Sequence, residues 1–182
     1  MIILKIFIAG PRAVKELDKN ISVKLENICA KNYEILVGDA DGIDSSVQKF
    51  LKMKSYRNVT IFASKGIARN NYGDWKIETV EVYNHLTGFE FYAQKDLEMA
   101  KMADIGFMIW NGKSKGTFNN IINLLNLEKH VILYYIPNKK FYQLKTMQDL
   151  NNFLNTNVKL DSKLKKLLPR EEHNQFVQAC LF

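Results

Sequence analysis

Hydrophobic residues along the chain fall into two alternating patterns. Short and nearly continuous apolar runs, such as KIFIA at 5–9 and IGFMIW at 105–110, are separated by longer segments in which apolar residues recur every three or four positions. The runs are typical of strands buried on both faces of a parallel sheet, and the spaced pattern is typical of amphipathic helices. The alternation therefore predicts an α/β fold with a mainly parallel sheet covered on both faces.

The same patterns predict the order of the elements. Strands are expected at 5–9, 33–37, 58–62, 105–110 and 131–136, with a further strand-like segment at 77–83. Helices are expected from about 14 to 28, from the turn after residue 42 to about 54, from 91 to 103 and from about 118 to 125. Residues 63–76 form a polar, basic loop, and long loops in compact domains tend to be functional or mobile.

The character of the chain changes after Pro137. Residues 139–154 suggest another helix, and leucines interleaved with lysines at 160–168 suggest a helix with a solvated basic face. We expect a nucleotide-binding domain at 1–138 and a helical, basic C-terminal extension at 139–182 that packs on the same domain. The apolar tail at 176–182 is expected to dock on the core or to form a homo-oligomer contact.

Composition restricts the classes of protein that the chain can represent. It has 182 residues, a formal charge of +7, and two cysteines, Cys29 and Cys180, which are far apart. No apolar stretch reaches the roughly 18 residues of a membrane span, and the N-terminus lacks the basic region of a signal peptide. We expect a cytoplasmic protein without a membrane partner. Neither the cysteines nor the scattered histidines have metal-ligand spacing, so no metal and no other cofactor is predicted.

The turn at 38–44, Gly-Asp-Ala-Asp-Gly-Ile-Asp, is the first candidate for binding chemistry. Gly38 and Gly42 follow a buried strand and precede a helix, a position where backbone N–H groups and the helix dipole can attract a phosphate. Asp41 is expected to cap the helix, in a capping-box-like relation with Asp44. Because crowded carboxylates repel phosphate, we expect Asp39 or Asp44 to meet a ribose or a buried donor.

A second turn of this kind follows the strand at 105–110. Residues 111–117 contain Gly112 and Gly116, with Ser114 and Thr117 as hydroxyl donors. Turns at the carboxyl ends of parallel strands can face one crevice, so one turn can hold the phosphate and the other the sugar. Two unrelated structural turns are the competing interpretation. The motifs match neither a calcium loop nor a P-loop.

Several short motifs in order resemble those of the SLOG superfamily, which includes the DNA-processing protein DprA and the Lonely Guy phosphoribohydrolases. Residues 38–44 resemble its G-x-A-x-G-[IA]-D turn. KDLEM at 95–99, Ala103-Asp104 and WNGKSKGT at 110–117 are similar to the R-N-x-x-M, A-D and W-D-G-x-S-x-G-T motifs of the YspA-like branch. The resemblance covers residues 6 to about 136.

This resemblance implies a Rossmann-like three-layer sandwich that binds a nucleotide or nucleotide derivative. It places the following residues near the ligand: Gly10, Arg12, Gly38, Asp44, Lys95, Asp96, Ser114, Gly116 and Thr117. The chain departs from the Lonely Guy pattern P-G-G-x-G-T-x-x-E, because Asn120 stands where the glutamate would be. N-glycosidic cleavage needs a carboxylate near the anomeric carbon, so binding is favoured over hydrolysis.

Three functions follow from these observations. The leading prediction is a sensor or binding protein for an ADP-ribose-like, NAD-like or nucleoside phosphate ligand. The first alternative is an N-glycosidase, phosphoribohydrolase or deoxyribosyltransferase-like enzyme whose carboxylate comes from the set Asp39, Asp44, Asp96 and Glu98. The second alternative is DNA binding in the manner of DprA, through the basic segment 139–170, which has eight basic and two acidic residues.

Overall fold

A seven-stranded sheet forms the centre of the computed structural model, which describes residues 3–81 and 85–169. The strands are β1 (Lys5–Ala9), β2 (Glu34–Gly38), β3 (Val59–Ser64), β4 (Lys76–Val80), β5 (Ile105–Trp110), β6 (His130–Tyr135) and β7 (Lys140–Leu144). They lie in the order β4-β3-β2-β1-β5-β6-β7, and every neighbouring pair is parallel except β6 and β7. The predicted α/β fold with a Rossmann-like, mainly parallel sheet is confirmed.

Helices cover both faces of this sheet. They are α1 (Lys19–Ala30), α2 (Ile43–Met53), α3 (Gly88–Met102), α4 (Lys115–Asn126), α5 (Met147–Asn157) and the short α6 (Ser162–Lys165). Successive strand residues point to opposite faces. Ile6 and Ile8 accordingly pack in one core with α1 and α2, whereas Phe7 and Ala9 pack in a second core with α3 and α4.

The segment that follows β6 differs from its prediction. Residues 139–154 were expected to form one helix, but Lys140–Leu144 is an antiparallel edge strand and helix α5 begins at Met147. Lys139 adopts a left-handed conformation with φ 54° and turns the chain back along β6. Pro137 and Asn138 are common turn residues, but the left-handed residue is a lysine rather than a glycine, so the sequence does not mark where the chain reverses.

Helix α5 begins at a capping box formed by Thr146 and Asp149. The Thr146 side chain accepts from the Asp149 N–H, and the Asp149 carboxylate accepts from the Thr146 N–H. Leu150, Phe153, Leu154 and Leu164 enter the same core as α4. The apolar tail at 176–182 lies outside the described residues.

The direction in which successive strands are added to the sheet reverses between β1 and β5. The chain passes from β1 to β2 on one side and later returns to place β5 on the other side. In open α/β sheets this arrangement opens a crevice at the carboxyl ends of the two strands. Among the described residues, no helix is long and apolar enough to cross a membrane.

Candidate functional site

A cavity of about 430 Å³ opens at the carboxyl edge of the sheet, where chain order reverses. Its walls come from the end of β1, the start of α2, the first turns of α3 and the start of α4. Its size is within the range of small-molecule sites in proteins. The residues from the predicted ligand-binding set that line it are Gly10, Arg12, Asp44, Lys95, Asp96, Ser114, Gly116 and Thr117.

The remaining members of that predicted set, Gly38, Asp39, Gly42 and Gly112, do not line the cavity. A Cβ on Gly38 would meet the Asp44 carboxylate and would lie 2.7 Å from Lys95 Nζ. Gly42 has φ +78° and lies against the backbone of Arg12, where a side chain has no room. Gly112 also has φ +78°, and a Cβ there would lie 3.1 Å from the Tyr135 hydroxyl. These glycines allow close packing behind the cavity wall.

Asp39 is the centre of a buried ion cluster behind the cavity. Its carboxylate accepts from the Arg69 N–H at 3.0 Å, from Arg69 Nε at 3.1 Å and from Arg69 Nη2 at 2.7 Å. It also accepts from Lys95 Nζ at 3.2 Å, and Asp39 and Lys95 are each 3% exposed. Burial raises the pKa of Asp39, but the Arg69 hydrogen bonds and the Lys95 charge outweigh it and leave the pKa at about 2. Of the two predicted partners, a ribose or a buried donor, the structure has a buried donor at Asp39, namely Lys95.

Asp44 carries the opposite pKa shift inside the cavity wall. Its Oδ2 accepts from the Ala40 N–H at 3.4 Å, and the residue is 7% exposed. Burial raises the pKa of Asp44 to about 7, although the nearby Lys95 charge acts in the other direction. A cavity carboxyl that titrates near neutrality can change the charge of the site over a narrow pH range.

The expected capping by Asp41 is wrong. The N-cap of α2 is Gly42, which makes no side-chain cap hydrogen bond. Asp41 is exposed, and its carboxylate accepts from Asn70 Nδ2 at 3.2 Å. The positive φ of Gly42 places the preceding side chain away from the helix start, toward the loop after β3.

The turn after β5 presents a helix start to the cavity. Asn111 Oδ1 accepts from the N–H groups of Lys113 and Ser114 at 3.0 and 2.9 Å. Ser114 caps α4 and accepts from the Thr117 N–H at 3.3 Å, and the two hydroxyls lie 3.0 Å apart. A Cβ on Gly116 would meet nothing within 4 Å, so the space over this helix start is open. Such a site favours an anion.

Polar groups on the floor of the cavity are held by α3 and α4. Asn120 Nδ2 donates to Asp96 Oδ2 at 3.2 Å, which fixes the orientation of the amide because a carboxylate cannot donate. Asn120 Oδ1 is buried and has no hydrogen-bond partner among the described residues.

Glu98, a weak catalytic candidate, lies elsewhere. It is paired with Lys101 at 2.6 Å and lines a separate, broader depression of about 740 Å³ between α3 and β4. Although that depression is larger, none of the glycine-turn residues line it. The predicted binding chemistry therefore converges on the smaller cavity.

Aromatic rings and basic groups alternate along the rim of the cavity. The Arg12 guanidinium lies 4.5 Å from the centre of the Tyr92 ring, and that of Arg69 lies 4.9 Å from the same centre. Lys115 Nζ lies 3.8 Å from the centre of the Phe89 ring. Phe89 was not predicted as a site residue, because a single aromatic residue beside a predicted turn carries no positional signal.

Comparisons with known proteins were made by sequence and by fold. The chain matches no model of a protein family and no curated protein. Its fold is similar to DNA processing protein A from Helicobacter pylori, with a TM-score of 0.56 and 15% identity, over 90% of this chain and 77% of that one. The likeness is one of fold. That structure reports a single-stranded DNA binding mode for the Helicobacter protein.

A second similar structure is DprA from Streptococcus pneumoniae. The TM-score is 0.52 and the identity 12%, over 87% of this chain. The match covers 63% of the Streptococcus chain, so the present chain spans less than two thirds of that protein. The resemblance to DprA thus holds at the level of the fold, and membership of the YspA-like branch stays a prediction.

Proposed function

We propose that the chain binds single-stranded nucleic acid and holds one nucleotide of the strand in the cavity between β1 and β5. The observation that carries the proposal is the rim, where the Arg12 guanidinium lies over the Tyr92 ring and Lys115 Nζ over the Phe89 ring, whereas the Arg69 charge is paired with Asp39. Single strands are bound without base pairing by aromatic rings that stack on bases and by cations that neutralise phosphates. The fold shared with a DprA described as binding single-stranded DNA supports the same function.

The cavity and its helix start suggest how one unit of the strand is held. A phosphate fits the open space over Gly116, beside the hydroxyls of Ser114 and Thr117. The sugar or base then faces Asp44, Asp96 and Asn120, whose oxygens accept hydrogen bonds. The predicted binding of a nucleotide derivative becomes part of this proposal, with the nucleotide either free or within a strand.

Binding of a fluorescent oligothymidylate to Gly116→Asp and Gly116→Asn tests this function. Both side chains enter open space, so both variants are expected to fold with unchanged melting temperatures. The aspartate adds a negative charge where a phosphate is expected, whereas the asparagine has the same shape without the charge. We expect Gly116→Asp to weaken binding at least about tenfold and Gly116→Asn to weaken it much less. Equal affinities for wild type and Gly116→Asp would contradict the proposal.

Binding of a free nucleotide is the second candidate, because the cavity is enclosed on several sides and has a volume suited to one nucleotide. Thermal shift measurements with thymidine monophosphate, ADP-ribose and NAD separate it from strand binding. A free-nucleotide protein should be stabilised by one of these at low concentration, with little gain from a longer oligonucleotide. A strand-binding protein should bind the oligonucleotide far more tightly than the monophosphate.

Cleavage of an N-glycosidic bond is a weaker proposal. Of the four carboxylates considered, Asp44 and Asp96 line the cavity, whereas Asp39 is held by Arg69 and Glu98 lies elsewhere. An enzyme of this kind would release free base from a nucleotide, and Asp44→Asn would abolish the release. Chromatography of nucleotides incubated with wild type and variant measures this directly.

A further inference from the structure

A groove beside α2 carries a second group of aromatic and basic side chains. This α2 groove has a volume of about 260 Å³ and is lined by Lys52, Tyr56, Arg57, Tyr72 and Trp75, among others. Lys49, one turn before Lys52, places its Nζ 4.9 Å from the centre of the Tyr72 ring. The combination of ring and cation is the same as at the cavity rim.

Helix α2 contributes residues to both the cavity and the α2 groove. Asp44 lines the cavity, and the hydroxyl of the next residue, Ser45, lies 3.1 Å from the hydroxyl of Tyr72. Lys49 and Lys52 follow Ser45 by four and seven positions, so they lie on its face of the helix. From Asp44 to Lys52 the helix extends about 12 Å. The two sites therefore lie about two turns of α2 apart, with Ser45, Tyr72 and Lys49 between them, and this stretch is the α2 path.

Residues 70–75 form the loop beside this path, and hydrogen bonds fix its conformation. Gln48, fully buried, donates from Nε2 to the carbonyls of Gly38 and Asn70 at 2.9 and 3.2 Å and accepts from the Tyr72 N–H at 3.1 Å. Asn71 Nδ2 donates a hydrogen bond to the Trp75 carbonyl, and Asn71 Oδ1 accepts one from the Trp75 N–H. The Tyr72 ring is thus positioned before any ligand arrives, which lowers the entropy cost of binding.

The charges along the path favour an anionic partner. The cations Lys49, Lys52 and Arg57 are exposed, and none of them takes part in an ion pair among the described residues. The carboxylates nearby are Asp74, which lines the groove, Asp41, which is engaged by Asn70, and Asp44 at the cavity end. The path therefore has a net positive charge and aromatic rings at both ends.

We propose that the α2 groove is a second contact region for single-stranded nucleic acid, and that the strand passes from the cavity along α2 to Lys52 and Arg57. The inference rests on the proposed function. A duplex does not fit this path, because paired bases cannot stack on the Tyr72 ring. The segment at 139–170 is also a candidate for DNA binding, but its described part begins with β7, at the opposite edge of the sheet from β4, and is not part of the path.

Matched double variants test the path. Lys52→Gln with Arg57→Gln removes two charges from the α2 groove, and Lys163→Gln with Lys166→Gln removes two exposed charges from the C-terminal segment. Fluorescence anisotropy with an oligothymidylate of about twelve nucleotides is measured over a range of salt concentrations. For two lost phosphate contacts on a single strand, the slope of log affinity against log salt should fall by about 1.4. The C-terminal control should keep the slope of wild type.

Tyr72 provides a second measurement that does not depend on charge. Tyr72→Leu removes the ring and should weaken binding of the oligonucleotide about tenfold, whereas Tyr72→Phe keeps the ring and should bind nearly as wild type. Thymidine monophosphate is expected to contact only the cavity and not the α2 groove. It should therefore bind all these variants with equal affinity.

The outcomes separate the two proposals. If the α2 double variant keeps the slope of wild type while Gly116→Asp weakens binding, the strand does not follow α2. Binding of a nucleotide in the cavity is then still supported. If the C-terminal control loses slope instead, the strand runs over the opposite edge and the path is wrong. If wild type binds no oligonucleotide at all, both the path and the proposed function fail.

Discussion

Asp44 is the residue through which pH should act on binding. Its pKa of about 7, raised mainly by burial, means that the Asp44 carboxyl is largely neutral below pH 7 and carries a negative charge above it. A negative charge in the wall opposes a phosphate-bearing ligand. Affinity should therefore rise as pH falls through about 7.

We predict that Asp44→Asn removes most of this pH dependence. The asparagine has nearly the same shape and stays neutral, so the variant should bind at about pH 8 as wild type binds at about pH 6, roughly tenfold more tightly than wild type at the higher pH. Titration calorimetry at both pH values measures the difference. A variant with the same pH profile as wild type would show that another group controls it.

Asp39 is predicted to act on stability. Its pKa in the folded protein, about 2, lies below the ordinary value of 3.8, so the ionised carboxylate stabilises the fold above about pH 4, and this contribution is lost as the pH falls toward 2. Asp39→Asn should lower the free energy of unfolding by roughly 2 kcal/mol at neutral pH and by much less near pH 2. Urea unfolding at the two pH values tests this. An equal loss at both would contradict the ionic origin.

At the residue scale, the sequence indicated that the carboxylates need hydrogen-bond donors, but it did not indicate which residues donate. The crowding of Asp39, Asp41 and Asp44 correctly required a buried donor, but Arg69 and Lys95 lie 30 and 56 positions away, beyond any local pattern. Asp41 was assigned to the cap because side-chain type favours it there, whereas the positive φ of Gly42 decided the outcome.

At the scale of elements, the two glycines at helix starts, Gly42 at the N-cap of α2 and Gly116 in the first turn of α4, should behave differently. Gly42→Ala is strained by φ +78° and would press its Cβ against the Arg12 backbone, so we predict a loss of at least about 2 kcal/mol in unfolding free energy. Gly116→Ala enters open space within α4 and should be neutral or stabilising by up to about 1 kcal/mol. Chemical denaturation of both variants gives the comparison. Similar losses would contradict the geometry of the two turns.

Strands buried on both faces were the elements that the sequence predicted well. After Lys5, the runs KIFIA and IGFMIW contain no polar residue. Their apolar residues are continuous, so they do not show the three- or four-residue spacing of a helix. The edge strand β7 was predicted as a helix, because Phe141 and Leu144 are three positions apart, and an edge strand buries too few side chains to give a clear period of two.

For the whole molecule, the described part of the extension at 139–182 shares a hydrophobic core with residues 1–138. β7 pairs with β6, and Leu144, Leu150 and Phe153 belong to the hydrophobic cluster that includes α4. We therefore predict that a chain truncated after residue 138 loses cooperative unfolding, because β6 becomes an exposed edge and α4 loses its cover. Circular dichroism melts test this. A truncated chain with a sharp transition near that of wild type would show that residues 1–138 fold alone.

The central claim is that a nucleotide of a single strand enters the cavity between β1 and β5. The most direct test is photocrosslinking of an oligothymidylate that contains 5-iodouracil, followed by mass spectrometry of the crosslinked peptides. The account predicts crosslinks at the rim, on Tyr92 or Phe89, that disappear in Gly116→Asp and persist in Gly116→Asn. Crosslinks confined to residues 139–169, unchanged by Gly116→Asp, would contradict it.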